Sequence, residues 1–239
     1  MLKNILKIVV IFILGMVGGI FAEQIFWPYF VERPLFYQYS LEQMPVNVTE
    51  KNETVVQENV ALTNAIENVG NTIVGVRTKL KTGKFLEGSG LIVSSDGMVI
   101  TFASLVPEGG QTSLFLEGQS PSFQILKRDL KENLALIKME ESNLPTAGFA
   151  DFGKIKLGER VFILGIIFGA DGTPSKMTNE GIIKTFNDSQ IKTNIFEKST
   201  LSGSPLFDIE GKVLGLNTID TEGKVAAVSV KKIRDFLGF

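Results

Sequence analysis

Gly88-Ser89-Gly90-Leu91-Ile92-Val93-Ser94-Ser95-Asp96-Gly97-Met98-Val99-Ile100-Thr101 is the stretch whose reading decides the fold. Two apolar, β-branched runs flank Asp96-Gly97, a pair suited to a tight turn because glycine accepts positive φ without steric cost. The segment therefore predicts an antiparallel hairpin, with strands over 85–94 and 98–102.

Outward from this hairpin the same pattern recurs. On one side of a connecting loop lie runs at 72–80, 85–94, 98–102, 112–118, 122–129 and 134–139. On the other side lie runs at 160–168, 181–186, 190–194, 204–208, 212–219 and 225–230. Glu210-Gly211 and Glu222-Gly223 are further turn pairs. Val230–Phe239 reads as a C-terminal helix, and Val60, Ala61, Ala65, Ile66 and Val69 approximate helical spacing in a short amphipathic helix leading into the domain. Gly165 to Gly172 reads as loop-forming. Periodicity alone gives an all-β domain, barrel or sandwich, with six runs followed by six.

Composition narrows the function classes. The 239 residues carry 24 Lys+Arg and 26 Asp+Glu without a basic cluster, so nucleic-acid binding is not expected. With neither cysteine nor histidine, the chain has no disulfide or thiolate chemistry and lacks the principal zinc ligands. Asp151, Asp171, Asp188 and Asp208 are scattered in turns without metal-loop spacing. No metal and no cofactor are expected.

At the N-terminus, residues 8–22 (IVVIFILGMVGGIFA) form an apolar run preceded by Lys3 and Lys7. Extended to Trp27 it reaches the length of roughly 20 residues that spans a bilayer. Lysines before it and Glu23 and Glu32 after it predict a cytoplasmic N-terminus and an extracytoplasmic domain. A cleaved signal ending at Ala22 is the alternative, although Ile20 is bulkier than such sites prefer. The expected organisation is an anchor or signal over 1–30, a stalk over 31–60 and the β-rich domain over 61–239.

The string at 88–101 resembles the opening hairpin of the HtrA/Deg family of trypsin-like serine proteases. Asp129-Leu130-Lys131-Glu132-Asn133-Leu134-Ala135 is similar to the family segment carrying the catalytic aspartate. Leu201-Ser202-Gly203-Ser204-Pro205-Leu206, followed by Gly211 to Asn217, resembles the nucleophile loop. Gly158-Glu159, Gly165 and Thr178 to Ile183 also fall where the family pattern has them. The resemblance covers roughly 62–239 and implies a chymotrypsin-like double six-stranded β-barrel with its site between the barrels. Family members often carry C-terminal PDZ domains, and none is expected before Phe239.

Carried over residue by residue, the resemblance places Ser104 at the position of the catalytic histidine and Asn133 at that of the aspartate. Ser202 falls on the nucleophile and Thr200 on the glycine of the oxyanion hole, while Ser204 replaces a further glycine. Neither serine nor asparagine supplies the base or the charge of such a unit, and a β-branched Thr200 is disfavoured at positive φ. Phe102 and Phe196 flank the expected cleft, where bulky rings would fill vacated space.

The leading expectation is a membrane-anchored pseudoprotease that binds a protein or peptide between the barrels. One alternative is a serine endopeptidase using Ser202 with an unconventional base, Lys192 or Lys198 being nearby in sequence. Another is a structural subunit of a protease-like assembly, with homo-oligomers conceivable.

Overall fold

The computed structural model describes residues 2–25 and 60–238, which belong to two separate compact units, 1–55 and 56–239. The expected stalk, Trp27 and Glu32 lie outside the described residues.

In the first unit, α1 (Leu2–Phe21) continues as a wider helical turn through residue 25. Glu23 and Gln24 therefore do not end the helix. The apolar stretch Lys3–Ile25 has 23 residues, and its most apolar 18-residue window has a mean hydropathy of 2.6. At about 1.5 Å per residue that length crosses a hydrocarbon core of roughly 30 Å.

The second unit opens with α2, residues 60–69. Ala65 and Val69 are buried, with Leu62 and Ile66 packed beside them, so the buried stripe follows i, i+3, i+4, i+7 spacing. Val60 and Ala61, expected on that stripe, are exposed in the first turn of the helix.

Twelve strands follow. The first six are β1 (Ile73–Lys79), β2 (Phe85–Ile92), β3 (Met98–Phe102), β4 (Gln111–Phe115), β5 (Phe123–Asp129) and β6 (Leu134–Met139). They form a six-stranded antiparallel sheet in the order β4-β1-β2-β3-β6-β5. The second six are β7 (Arg160–Phe168), β8 (Pro174–Phe186), β9 (Gln190–Phe196), β10 (Pro205–Asp208), β11 (Val213–Ile219) and β12 (Lys224–Ser229). These close into a barrel, β10-β11-β12-β9-β8-β7. Helix α3 (Val230–Leu237) buries Val230, Ile233 and Phe236 and ends at Gly238 in the left-handed region. The expected double six-stranded architecture is thus the one observed.

Strand β7 explains why its sequence is apolar without alternation. Phe162, Leu164 and Ile166 join the core of the first half, while Val161 and Ile163 join that of the second. A strand buried on both faces needs apolar residues at every position. Phe162 also stacks on Phe207, with ring centroids 5.2 Å apart. By contrast β9 has one wet face and alternates buried with exposed residues.

Half of the segment read as loop-forming over 165–172 is strand. Gly165 to Phe168 pair with Met177 to Pro174, which starts β8 seven residues before the run at 181–186. Only residues 169–173 turn, with Gly172 at φ 85°.

Candidate functional site at the junction of the two halves

The residues singled out from the sequence lie on three turns. Ser104 sits in a 3-10 turn, Ala103–Leu105, directly after β3, and is exposed. Asn133 ends the β5–β6 turn at φ 56°. The two meet: Asn133 Oδ1 accepts the backbone N–H of Ser104 at 2.9 Å, and the Asn133 carbonyl accepts that of Ala103 at 3.0 Å. Asparagine suits this place because its short polar side chain tolerates the left-handed conformation.

Thr200 and Ser202 belong to the loop between β9 and β10. Ser199–Leu201 winds as a 3-10 turn, and Leu201 donates its N–H to the Lys198 carbonyl at 3.1 Å. Among the described residues the non-glycine positions at positive φ are Glu117, Asn133 and Asn143, so Thr200 is not one of them. Leu201 is buried in the second barrel. Ser202 is half-buried, and its Oγ makes no hydrogen bond among the described residues. Lys192 and Lys198 are both exposed, so burial desolvates neither ammonium group.

Close backbone approach brings the Ser104 and Ser202 turns together. Ser89 of β2 donates its N–H to the Ser202 carbonyl at 3.0 Å. A Cβ on Gly88 would lie 2.5 Å from both that carbonyl oxygen and Leu105 Cδ1. Gly203, at φ 78°, is equally crowded: a Cβ there would stand 2.4 Å from the Ser89 carbonyl and 3.0 Å from Leu105 Cδ1. Leu105, next to Ser104, is the apolar wedge against which the Ser202 turn packs.

Two residues that sequence reasoning did not single out hold this junction. Ser89 is fully buried; its Oγ accepts the Ile166 N–H of β7 at 2.8 Å, and its carbonyl accepts Thr101 Oγ1 at 2.7 Å. Asn217 of β11, also fully buried, accepts the Gly203 N–H at 2.8 Å on its carbonyl. It returns its own N–H to the Ser204 carbonyl at 2.8 Å and its Nδ2 to the same oxygen at 3.0 Å. Asn217 Oδ1 has no hydrogen-bond partner among the described residues. The polar Gly-Ser-Gly opening of an otherwise apolar strand was the available signal for Ser89.

The two phenylalanines behave differently from expectation. Phe102 is 2% exposed and forms part of the first core, because β3 directs it inward. Phe196 is 60% exposed at the end of β9, whose even-numbered residues face outward. Neither fills a cleft; Leu105 occupies the contact between the turns.

Residues 88–216 match the trypsin-like peptidase domain, more than half of the chain. The chain belongs to the trypsin-like peptidase family. A probable periplasmic serine endoprotease DegP-like of Pseudomonas putida is 34% identical over 136 residues, 55% of this chain and 28% of the relative. The protein so named in Chlamydia pneumoniae is 30% identical over 161 residues, 64% of this chain and 33% of its own length. The chain therefore spans about a third of the length of the curated relatives it matches. Homology to the DegP/HtrA serine endoproteases agrees with the resemblance of the three local strings.

Proposed function

We propose that the chain is a membrane-anchored pseudoprotease that holds a protein or peptide segment between its two halves without cutting it. The observation that carries this reading is the absence of histidine from all 239 residues, combined with Ser104 at the base position. Peptide hydrolysis by a serine nucleophile needs a base to take its proton and return it to the leaving amine. Ser104 offers only a hydroxyl. Asn133 serves as a backbone acceptor and brings no negative charge.

The oxyanion side of the site supports the same conclusion. Donors for a tetrahedral oxyanion must be aimed beforehand at one point. Thr200 instead lies in a 3-10 turn outside the positive-φ region. The exposed lysines nearby give Ser202 no desolvated substitute base.

The apolar helix Lys3–Ile25 is the proposed anchor. Lys3 and Lys7 in its first two turns keep the N-terminus cytoplasmic, which displays the β-rich domain on the other side. The periplasmic naming of the relatives fits that placement.

Intact mass of the full chain after incubation with a fluorophosphonate tests the lost chemistry. No adduct is expected; a stoichiometric adduct that disappears in Ser202→Ala would restore a hydrolase. A photo-crosslinking residue at position 104 tests the binding role. A discrete protein adduct formed in intact cells and lost from a control site at Lys79 is expected, and an empty trace would overturn peptide binding there.

A further inference from the structure

The outer face of the second barrel carries a row of residues at one register level. Thr218 of β11 faces Ala226 of β12, Ala226 faces Lys192 of β9, and Lys192 faces Thr185 of β8. The alternation is clear on β9 and β12: Ile191, Thr193, Val225 and Ala227 are buried, so Lys192, Lys224 and Ala226 project outward. Ala226 is the short member of this row, and its methyl group forms a floor between longer neighbours. The register irregularity between Ile183 and Thr185 adds Lys184 to the rim. The resulting cavity is about 390 Å³, within the range of roughly 300–1,000 Å³ of small-molecule sites.

The charges around this cavity are unbalanced. Lys224 pairs with Glu222. Asp220, the acidic residue of the lining, turns Oδ1 to the backbone N–H groups of Glu222 and Lys224, each at 2.9 Å. Lys184 and Lys192 have no carboxylate partner among the described residues. Lys184 and Lys192 are the ammonium groups of the lining that no ion pair holds, and against the single Asp220 carboxylate they leave the cavity net positive, which favours an anion with oxygens enough to meet both. A phosphate monoester is such a group near neutral pH, because its second ionisation falls near pH 6.

We propose that this pocket binds a soluble phosphate monoester, with Lys184 and Lys192 supplying the counter-charge and the organic part lying over Ala226. The site is separate from the Ser202 turn, and its existence does not depend on whether that turn binds peptides. The two share β11, on which buried Asn217 faces the Ser202 turn and Thr218 lines the pocket.

Equilibrium dialysis of the full chain in zwitterionic detergent tests this, with labelled inorganic phosphate and glycerol 2-phosphate as probes at fixed ionic strength. Saturable binding of both is expected, weakened about tenfold by Lys184→Ala and by Lys192→Ala. Lys79→Ala, an exposed lysine on β1, is expected to leave it unchanged, with far-ultraviolet circular dichroism showing every variant folded. No saturation by about 10 mM, parental affinity in both pocket variants, or an equal loss in Lys79→Ala would overturn the proposal. Retention only on nanodiscs containing phosphatidate, without soluble binding, would also overturn it and assign the charge to a lipid surface.

Discussion

Asn133 fixes the position of Ser104: its Oδ1 takes the Ser104 N–H at 2.9 Å while its carbonyl takes that of Ala103 at 3.0 Å. This relationship requires an acceptor oxygen and no charge. It explains how the turn carrying the expected base position keeps its shape with uncharged residues at both places. A carboxamide performs the positioning as well as a carboxylate would.

Replacement of Asn133 separates its two roles. Asn133→Ala removes the acceptor and forces a Cβ residue to stay at φ 56°, with an expected loss of about 2–3 kcal/mol. Asn133→Gly removes only the acceptor and should cost about 1 kcal/mol. Urea unfolding midpoints at constant slope measure the difference, and equal losses would mean that the backbone conformation carries no strain.

On the proposed assignment of Ser104 and Asn133, rebuilding a catalyst needs more than a base. The double variant Ser104→His, Asn133→Asp restores the base and its orienting charge but leaves Thr200 in its 3-10 turn. It should label with fluorophosphonate slowly. Addition of Thr200→Gly should raise the labelling rate about a hundred- to a thousandfold, the usual worth of one oxyanion donor. Equal rates in the double and triple variants would show that the loop, rather than residue 200, prevents the donors from aligning.

Ser89 joins the halves through a buried hydroxyl. In Ser89→Ala the Ile166 N–H, now bonded at 2.8 Å, is left without that acceptor in a fully buried setting. The expected cost is about 1–3 kcal/mol, read by denaturant titration. A neutral result would mean that water enters to satisfy the amide.

Asp208 gives the fold a pH dependence of known sign. Burial raises its carboxyl above the ordinary value of 3.8, although the backbone N–H groups of Lys212 and Glu210 oppose the shift. The folded state therefore holds the proton more tightly than the unfolded chain, and Asp208 contributes stability that is lost as pH rises from 3.8 through its raised value. Asp208→Asn keeps the Oδ1 acceptor for both N–H groups and cannot ionise. Its stability relative to the parent should increase across that window and become level above it. A difference that does not vary with pH would place the proton equilibrium of Asp208 elsewhere.

The strand runs apart from the first half of β8, the three Gly-containing turns, α3 and the family strings were legible along the chain, because each depends on local periodicity or on residues adjacent in sequence. The site was only partly so. Ser104, Asn133, Thr200 and Ser202 were reached through resemblance to a family pattern. Ser89 and Asn217, which hold those turns in place, remained inconspicuous because their partners lie far away in sequence: Ser89 bonds Ile166, 77 residues on. The misjudged phenylalanines have the same cause. Whether Phe102 points inward and Phe196 outward depends on which face of β3 and β9 meets a core.

Chemistry that depends on residue types was decided by the sequence alone: a chain without histidine or cysteine has no imidazole and no thiolate in any fold. The apolar length of Lys3–Ile25 was decided in the same way. Tertiary structure alone decided how the turns meet. Hydrogen bonds and close packing act between atoms a few ångströms apart, and only the paired halves bring Leu105, Gly88 and Gly203 to that range. The same holds for the basic pocket, where the pairing of β12 with β9 sets Ala226 and Thr218 beside Lys184 and Lys192 of the β8–β9 hairpin.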